Sequence, residues 1–382
     1  MSDQKRTSAA LPDRARDEDS KGIAAARVRS VPVDRRAILA GGAALGGSAL
    51  LAMPGARAAA RDPLADYRTP YKYPKLVLAG SGIAGSFDEK AVDCPFVFSA
   101  NGRFYLSYVG FDGRGYQTGL CESADLVNWT RRGVILARDP ADPVTRFNVA
   151  SASILRENEL QSPGRLIKVE GRYVAAWHAY PSAGYEEGPA VIGLAWSRDL
   201  LHWERGPVIL RPEDGAEWER GGLYKPYLVR IGSTYHLYYN AKTTGRPWKE
   251  QTGLAISRDL KTWTQHPASP LIRNGAGGAP DARFASDPVV VSHRGRWGMF
   301  YFGLAQDGYA RELLALGDTP TRFAKQDEVL IAPGAPGTID DRYAHKPSVI
   351  WHDGALYHFY CAVSGKWPND VRGLAVARSK PW

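Results

Sequence analysis

One seven-residue phrase, Ser-x-Asp-Leu-x-x-Trp, occurs three times, as SADLVNW (Ser123–Trp129), SRDLLHW (Ser197–Trp203) and SRDLKTW (Ser257–Trp263). Each copy follows an apolar run (QTGLCE, VIGLAW, QTGLAI) and precedes another (RGVILA, GPVIL, SPLIR). That context predicts a tight turn between two strands. The Ser and Asp side chains can bond nearby backbone amides, while Leu and Trp fold back onto a sheet. A second phrase recurs between the copies: x-x-Pro, an apolar run, a Gly-containing turn, then an aromatic-rich run. It is spelled around Pro95, Pro163, Pro226, Pro288 and Pro347 and reads as a hairpin. Regular recurrence of this kind makes each copy one supersecondary unit of a repeat fold.

Five copies of a two-hairpin unit predict an all-β chain, a five-bladed β-propeller of four-stranded antiparallel blades. The fourth copy keeps only a worn turn, LGDTPTRF (Leu316–Phe323), and the fifth reaches RGLAVARSKPW after three strands. YPKLVLAG (Tyr73–Gly80) matches the fourth-strand pattern. This N-terminal strand is therefore expected to complete the last blade and close the ring, leaving no open sheet edge. Composition agrees: 11% aromatic residues, 40 Gly and 26 Pro in 382 residues favour short strands and many turns.

Residues 1–60 are expected to lie outside the single propeller domain, 61–382. Residues 1–34 are polar without an apolar period. Arg35-Arg36 then precedes an Ala/Gly/Leu run, and Ala56-Arg57-Ala58 offers a small-residue cleavage site. This reads as a twin-arginine export signal, placing the mature protein in the periplasm or outside the cell. The run is too rich in Gly and Ala to hold well in lipid, so no stable membrane anchor is expected after cleavage. The formal charge is +9, but the remainder holds no Lys/Arg cluster, which argues against a nucleic-acid surface. Cys94, Cys121 and Cys361 have neither disulfide-framework nor metal-type spacing and read as buried thiols. The sequence leaves the oligomeric state open.

Strand alternation brings the starts of the first strands and the loops between second and third strands to one end. The pairs before the prolines would face the axis there: Asp93-Cys94, Gln161-Ser162, Tyr224-Lys225, Ser286-Asp287 and His345-Lys346. The loops add Asp112, Glu186, Glu187, Trp248, Glu250, Asp307, Glu312, Trp367 and Asp370. A solvated loop acid or a strand cap is the competing explanation for each alone. Together, aromatics interleaved with carboxylates suit a sugar, whose faces stack on flat rings and whose hydroxyls donate to carboxylates.

The repeated turns, the five copies and the early Asp-x-Pro resemble the glycosidase propellers, among them glycoside hydrolase families 43, 32, 68, 117 and 130, over about residues 70–382. The resemblance implies a glycoside hydrolase acting on an oligo- or polysaccharide, with a furanoside among the candidates, and the signal above makes it an exported one. It implies two carboxyl groups flanking the scissile bond and, by analogy with family 43, inversion. Asp93 matches that family's base. The family's positions for the auxiliary Asp and the general-acid Glu hold Gln161-Ser162 and Tyr224-Lys225 here. The acid is therefore sought in Glu250 first, then Glu219 and Glu187, with Asp287 as acid, base or modulator. Lys225, His345, Lys346, Glu187, Asp112, Trp248, Asp307 and Tyr224 would contact substrate. No cofactor is expected. His345 resembles a residue that helps to hold a central cation in family 43, so a structural or central divalent ion such as calcium stays open. Two alternatives stand beside hydrolysis: a glycoside phosphorylase, with Lys225, His345, Lys346 and Arg283 cradling phosphate, and a non-catalytic carbohydrate-binding propeller.

Overall fold

The computed structural model describes residues 62–366 and 369–382. The expected export signal and Trp367 lie outside them. Of the unit Ala15–Ala65 only residues 62–65 are described, and they form a turn. The unit that includes Asp66–Trp382 is built almost wholly of β-strands, with short 3-10 turns such as Pro212–Asp214 and Glu217–Glu219. No helix among the described residues is long and apolar enough to cross a membrane.

The strands form successive antiparallel meanders. The first runs Ala91–Ala100, Arg103–Phe111, Tyr116–Ser123, Thr130–Leu136; the second Ala150–Ile154, Arg172–Ala179, Val191–Ser197, Trp203–Leu210. The third is Gly222–Ile231, Thr234–Lys242, Glu250–Ser257, Thr264–Gln265; the fourth Phe284–His293, Arg296–Leu304, Ala310–Thr319, Arg322–Lys325. The fifth is Tyr343–His352, Ala355–Ser364 and Val371–Arg378, and the last of these pairs with Tyr71–Lys72 and Leu78–Ala79. The N-terminal segment thus supplies the outer strand of the fifth meander, two residues earlier than Tyr73. Each first strand packs against the next, and the fifth meander's against the first meander's. Apolar side chains fill the seams: Val97 and Leu106 cluster with Ile350, Phe359 and Val376, and Val174 and Leu194 with Leu237 and Tyr239.

The repeated turn works as its residues suggest. Ser123 Oγ accepts from the Asp125 and Leu126 amides (3.1 and 3.0 Å), and Asp125 Oδ1 accepts from Val127 and Asn128 (2.9 and 2.7 Å). Ser197/Asp199 and Ser257/Asp259 repeat the pattern. The Leu is left-handed each time (φ 66, 73 and 63°) and buried, so apolar burial offsets the backbone strain.

A second device was not legible as a motif. A second-strand tyrosine donates its hydroxyl to an acid 20 residues earlier: Tyr108 to Asp88, Tyr239 to Glu219, Tyr301 to Asp281 and Tyr360 to Asp340. The acid then meets an outer-strand group: Arg131 at 2.8 Å, Gln265 at 3.2 Å, Lys325 at 2.6 Å and Lys72 at 2.5 Å, respectively. Lys72 fills this role from the N-terminal strand. The ring needs space across the ladder, and the Gly of the repeated Gly-Leu supplies it: Gly119 pairs with Tyr108 and Gly253 with Tyr239. A Cβ there would meet the rings at 2.6 and 2.7 Å.

The second meander departs from expectation. Its first strand is Ala150–Ile154, not the segment at Pro163. Gln161 and Ser162 instead belong to an insertion that crosses to other meanders at the far ends of the first strands: the Leu160 amide donates to Ser292 O and the Trp351 amide to Ser162 O. Arg156, 3% exposed, anchors it. Its guanidinium donates to Val97 O, to Val349 O (2.9 Å) and to Tyr227 Oη (3.3 Å), tying three first strands together. The periodic proline misled because the insertion happens to carry an x-x-Pro of its own.

Candidate active site

Four of the five first strands repeat a bulge directly before their proline. Pairing slips between Asp93 and Phe96, Tyr224 and Tyr227, Ser286 and Val289, and His345 and Ser348. Proline has no N–H to leave unpaired there. The residue preceding it is left-handed each time: Cys94 (φ 52°), Lys225 (49°), Asp287 (57°) and Lys346 (66°). This conformation costs a non-glycine residue about 1–3 kcal/mol, and bulges re-aim side chains. Here they converge: Cys94 lies within electrostatic reach of Asp93, Lys225, Lys346 and Asp287.

Asp93 forms one half of the site. Its Oδ1 accepts from the Cys94 amide at 2.7 Å. Its Oδ2 accepts from Lys346 Nζ at 2.7 Å, from Arg372 Nη1 at 3.2 Å and from the Tyr185 hydroxyl. Burial alone would raise its pKa, but the Lys346 and Arg372 cations outweigh burial and hold the carboxyl well below its usual range. Lys346 also reaches Glu186 Oε1 at 3.6 Å, and Asp93 keeps its ammonium charged despite burial.

Asp287 forms the other half and is treated oppositely. The Asn240 amide group donates to Oδ1, and the Asp287 amide donates back to Asn240 Oδ1 at 2.5 Å. Oδ2 has no hydrogen-bond partner among the described residues, and Lys225 Nζ stands 4.0 Å away. Burial raises the pKa of Asp287; Lys225 and Lys346 oppose this, while Glu250 and Asp93 add to it, and the net shift is upward. Glu250 arrives because its strand makes a single parallel bridge to Phe284. It accepts from Ser286 Oγ at 2.6 Å and from Trp248 Nε1 at 2.9 Å. Trp248 stacks on Phe284 at 12°. Lys242 Nζ and the Arg246 guanidinium each stand 5.1 Å from the Trp248 ring, and Lys242 Nζ lies 5.2 and 5.8 Å from Tyr180 and Tyr224.

Two neutral histidines flank the carboxyls. Burial and the nearby lysines hold His345 and His178 well below the usual imidazole range. His345 Nδ1 donates to Cys361 O at 2.9 Å, and His178 Nδ1 accepts from the Lys225 amide at 3.4 Å. Asp93, His345 and Cys361 offer ligand atoms within 4.8 Å of one another. They do not suit a divalent cation: Asp93 is already bound by two cationic side chains, which would repel the metal. Glu312 lies fully buried with neither oxygen hydrogen-bonded among the described residues. Burial and then the Asp287 charge push its carboxyl well above the usual range.

The structure therefore gathers Asp93, Glu250, Asp287, Lys225, Lys346, His345, Tyr224 and Trp248. It takes Glu219 elsewhere: that carboxylate caps its own 3-10 turn by accepting from the Ala216 amide (2.7 Å) and closes the Tyr239 clamp, so it has no place in this cluster. Asp112 is held in its loop by Arg138 and by the Arg114 and Gly115 amides. Asp307 is half-exposed and pairs with Arg311 at 2.7 Å. Glu187 lies at the rim, 3.6 Å from Arg246. Sequence reasoning missed Tyr185, Arg372, Asn240 and Lys242. Three of these sit at the ends of second strands or starts of third strands that share the bulge end, a position that the repeat itself marks.

Residues 156–314 match the profile of the glycosyl hydrolases family 32 N-terminal domain. A solved glycoside hydrolase is 28% identical, with a TM-score of 0.70 over 82% of this chain and 93% of that one. An uncharacterized protein of Mycobacterium tuberculosis is 27% identical over 241 residues, 60% of this chain and 72% of its own length. A 1,2-beta-oligomannan phosphorylase of a Thermoanaerobacter species is 27% identical over 157 residues, 40% of this chain and 43% of its own. The fold and the matched profile together support a β-propeller glycosidase superfamily for this chain.

Proposed function

We propose that the protein is a glycoside hydrolase whose reacting carboxyls are Asp287, the proton donor, and Asp93, the permanent anion. The observation that carries this reading is the split between two buried aspartates at the bulge end, one pushed up and one held down. Paired carboxyls whose environments drive their pKa values apart are the usual source of an acid and its ionised counterpart. Asp287, its carboxyl pushed upward by burial and its Oδ2 without a hydrogen bond among the described residues, is the group that gives a proton to the leaving glycosidic oxygen. Asp93, fixed by four donors, stabilises positive charge developing on the sugar ring. Its Oδ2 already accepts three hydrogen bonds, so its service is electrostatic first, and water activation falls to Glu250. Trp248 offers a stacking wall. Inversion is carried over from the family 43 resemblance and is read from the anomer first released.

The wider setting belongs to the same reading. We take the five meanders as blades of a closed five-bladed propeller; the cycle of first-strand packing and the Lys72–Asp340 link support this. Export by the twin-arginine route to the periplasm or beyond rests on Arg35-Arg36 and the run that follows. A phosphorylase is the second reading, favoured by Lys225, Lys346 and Arg372 around the carboxyls and by the oligomannan phosphorylase relative. A panel of aryl glycosides and glycan fragments, with and without inorganic phosphate, tests both. Phosphate-independent release that is lost in Asp287→Asn is expected. Turnover only with phosphate selects the phosphorylase, and equal activity in Asp287→Asn removes Asp287 from the chemistry.

A further inference from the structure

The cations at the bulge end are unequally matched. Lys346 and Arg372 both donate to Asp93. Lys242 donates to Glu186 O at 3.2 Å and is ringed by aromatics. Lys225 has nothing comparable. Its side chain is 10% exposed, its nearest acid is Asp287 at 4.0 Å, and among the described residues no group accepts a hydrogen bond from its Nζ. The left-handed bulge before Pro226 nonetheless holds this side chain toward the carboxyls. This ammonium is largely withdrawn from water yet has no hydrogen-bonded counter-charge among the described residues, which leaves it open to an anionic ligand. Its acidic neighbour offers limited compensation, because Asp287 Oδ2 stands 4.0 Å off and makes no hydrogen bond to it. The missing counter-charge has therefore to arrive with the ligand.

We propose that Lys225 is the seat of an oxyanion beside the reacting bond, and that this oxyanion is the carboxylate of an acidic sugar, so that the substrate is a uronate-type glycoside rather than a neutral one. This rests on the hydrolase reading above and narrows it. Bound there, the carboxylate accepts from Lys225 Nζ and supplies the counter-charge that this ammonium lacks among the described residues. Its negative charge also raises the pKa of Asp287 further, keeping the proton donor loaded until the bond breaks. A neutral hydroxymethyl group in the same place leaves the lysine unpaired, which is how a site rejects an analogue lacking the matching group.

The test is binding, read without turnover by ligand-observed NMR and calorimetry on the full chain. The probes are the methyl glycosides of glucuronic and galacturonic acid in both anomers, the matching glucosides and galactosides, and inorganic phosphate. At least one uronide should bind the wild type roughly tenfold or more tighter than its neutral counterpart. Lys225→Met should erase that preference, and Lys225→Arg should retain part of it. Removing an unmatched buried charge should leave the melting temperature of Lys225→Met unchanged or higher, and the wild-type comparison stands without the variant. Equal affinity for acidic and neutral sugars overturns the proposal while leaving the hydrolase reading intact. Phosphate binding that depends on Lys225, without uronide preference, also overturns it and assigns the anion to phosphorolysis. Absence of binding by every sugar overturns both readings.

Discussion

Two repeated sets of buried side chains, one in the turns just before the first strands and one at the bulges of those strands, behave differently. In the clamps, Asp88, Glu219, Asp281 and Asp340 each accept a tyrosine hydroxyl from 20 residues on and meet an outer-strand donor. At the bulges, the backbone repeats but the side chains do not: Cys94, Lys225, Asp287 and Lys346 occupy one conformation. The clamps are repetitive and satisfied, as stability requires. The bulge end is varied and incompletely satisfied, with Asp287 Oδ2 and both Glu312 oxygens lacking a hydrogen bond among the described residues. Repetition with full pairing marks the scaffold, and variation on a repeated backbone marks the place where a ligand is expected.

The largest effect that could break this contrast is on catalysis. Asp287→Asn should lower kcat/KM by about 10²–10⁴-fold, measured on whichever glycoside the panel identifies, without lowering the melting temperature. A clamp variant such as Glu219→Gln should leave kcat within about twofold, since it changes no transition-state contact. If Glu219→Gln were the inactive one, the two regions would have been assigned the wrong way round.

Stability should show the reverse order. Arg156→Met should cost about 3 kcal/mol in denaturant unfolding, because it strips donors from two buried carbonyls and unties three first strands. Tyr239→Phe should cost about 1–2 kcal/mol by leaving Glu219 short of one donor. A loss in Tyr239→Phe as large as in Arg156→Met would mean that the outer clamps, not the insertion, hold the first strands together.

The smallest effects depend on pH. Asp93 has a depressed folded-state pKa, so its charge contributes stability above the unfolded value of about 3.9, and that contribution fades as pH falls through the lower folded value. Asp93→Asn should therefore unfold more easily than wild type at neutral pH, with the gap closing in acid. Glu312 is raised, so its carboxyl is at no disadvantage below about pH 4 and progressively destabilises the fold as pH rises. Glu312→Gln should match wild type in acid and gain about 1 kcal/mol or more at neutral pH. Thermal melts across pH read both variants, and parallel curves would contradict the opposite signs.

Much of the scaffold was legible because its signals are local. Ser123, Asp125 and Leu126 shape a turn with their own neighbours, so the motif alone specifies it. The N-terminal outer strand was legible as a missing piece of a counted pattern. The clamps were not, because Tyr239 and Glu219 are joined only once the strands have paired, and Glu219 read as a free acid near the site. Pro163 shows the converse failure: a residue in the right rhythm, carried by an insertion instead of a strand. At the site, the pairs before Pro95, Pro226, Pro288 and Pro347 were found because bulge and proline travel together. Their division of labour was hidden, since Asp93 is held down by Lys346 and Arg372 from another meander.

The most direct test follows the two carboxyls themselves. Carbon-13 NMR of aspartate side chains, assigned with Asp93→Asn and Asp287→Asn, reports each titration without a substrate. The paired assignment predicts that Asp93 stays ionised below about pH 3.9 while Asp287 takes up its proton above that value. Two aspartates titrating together near the ordinary value, or in the opposite order, would contradict it.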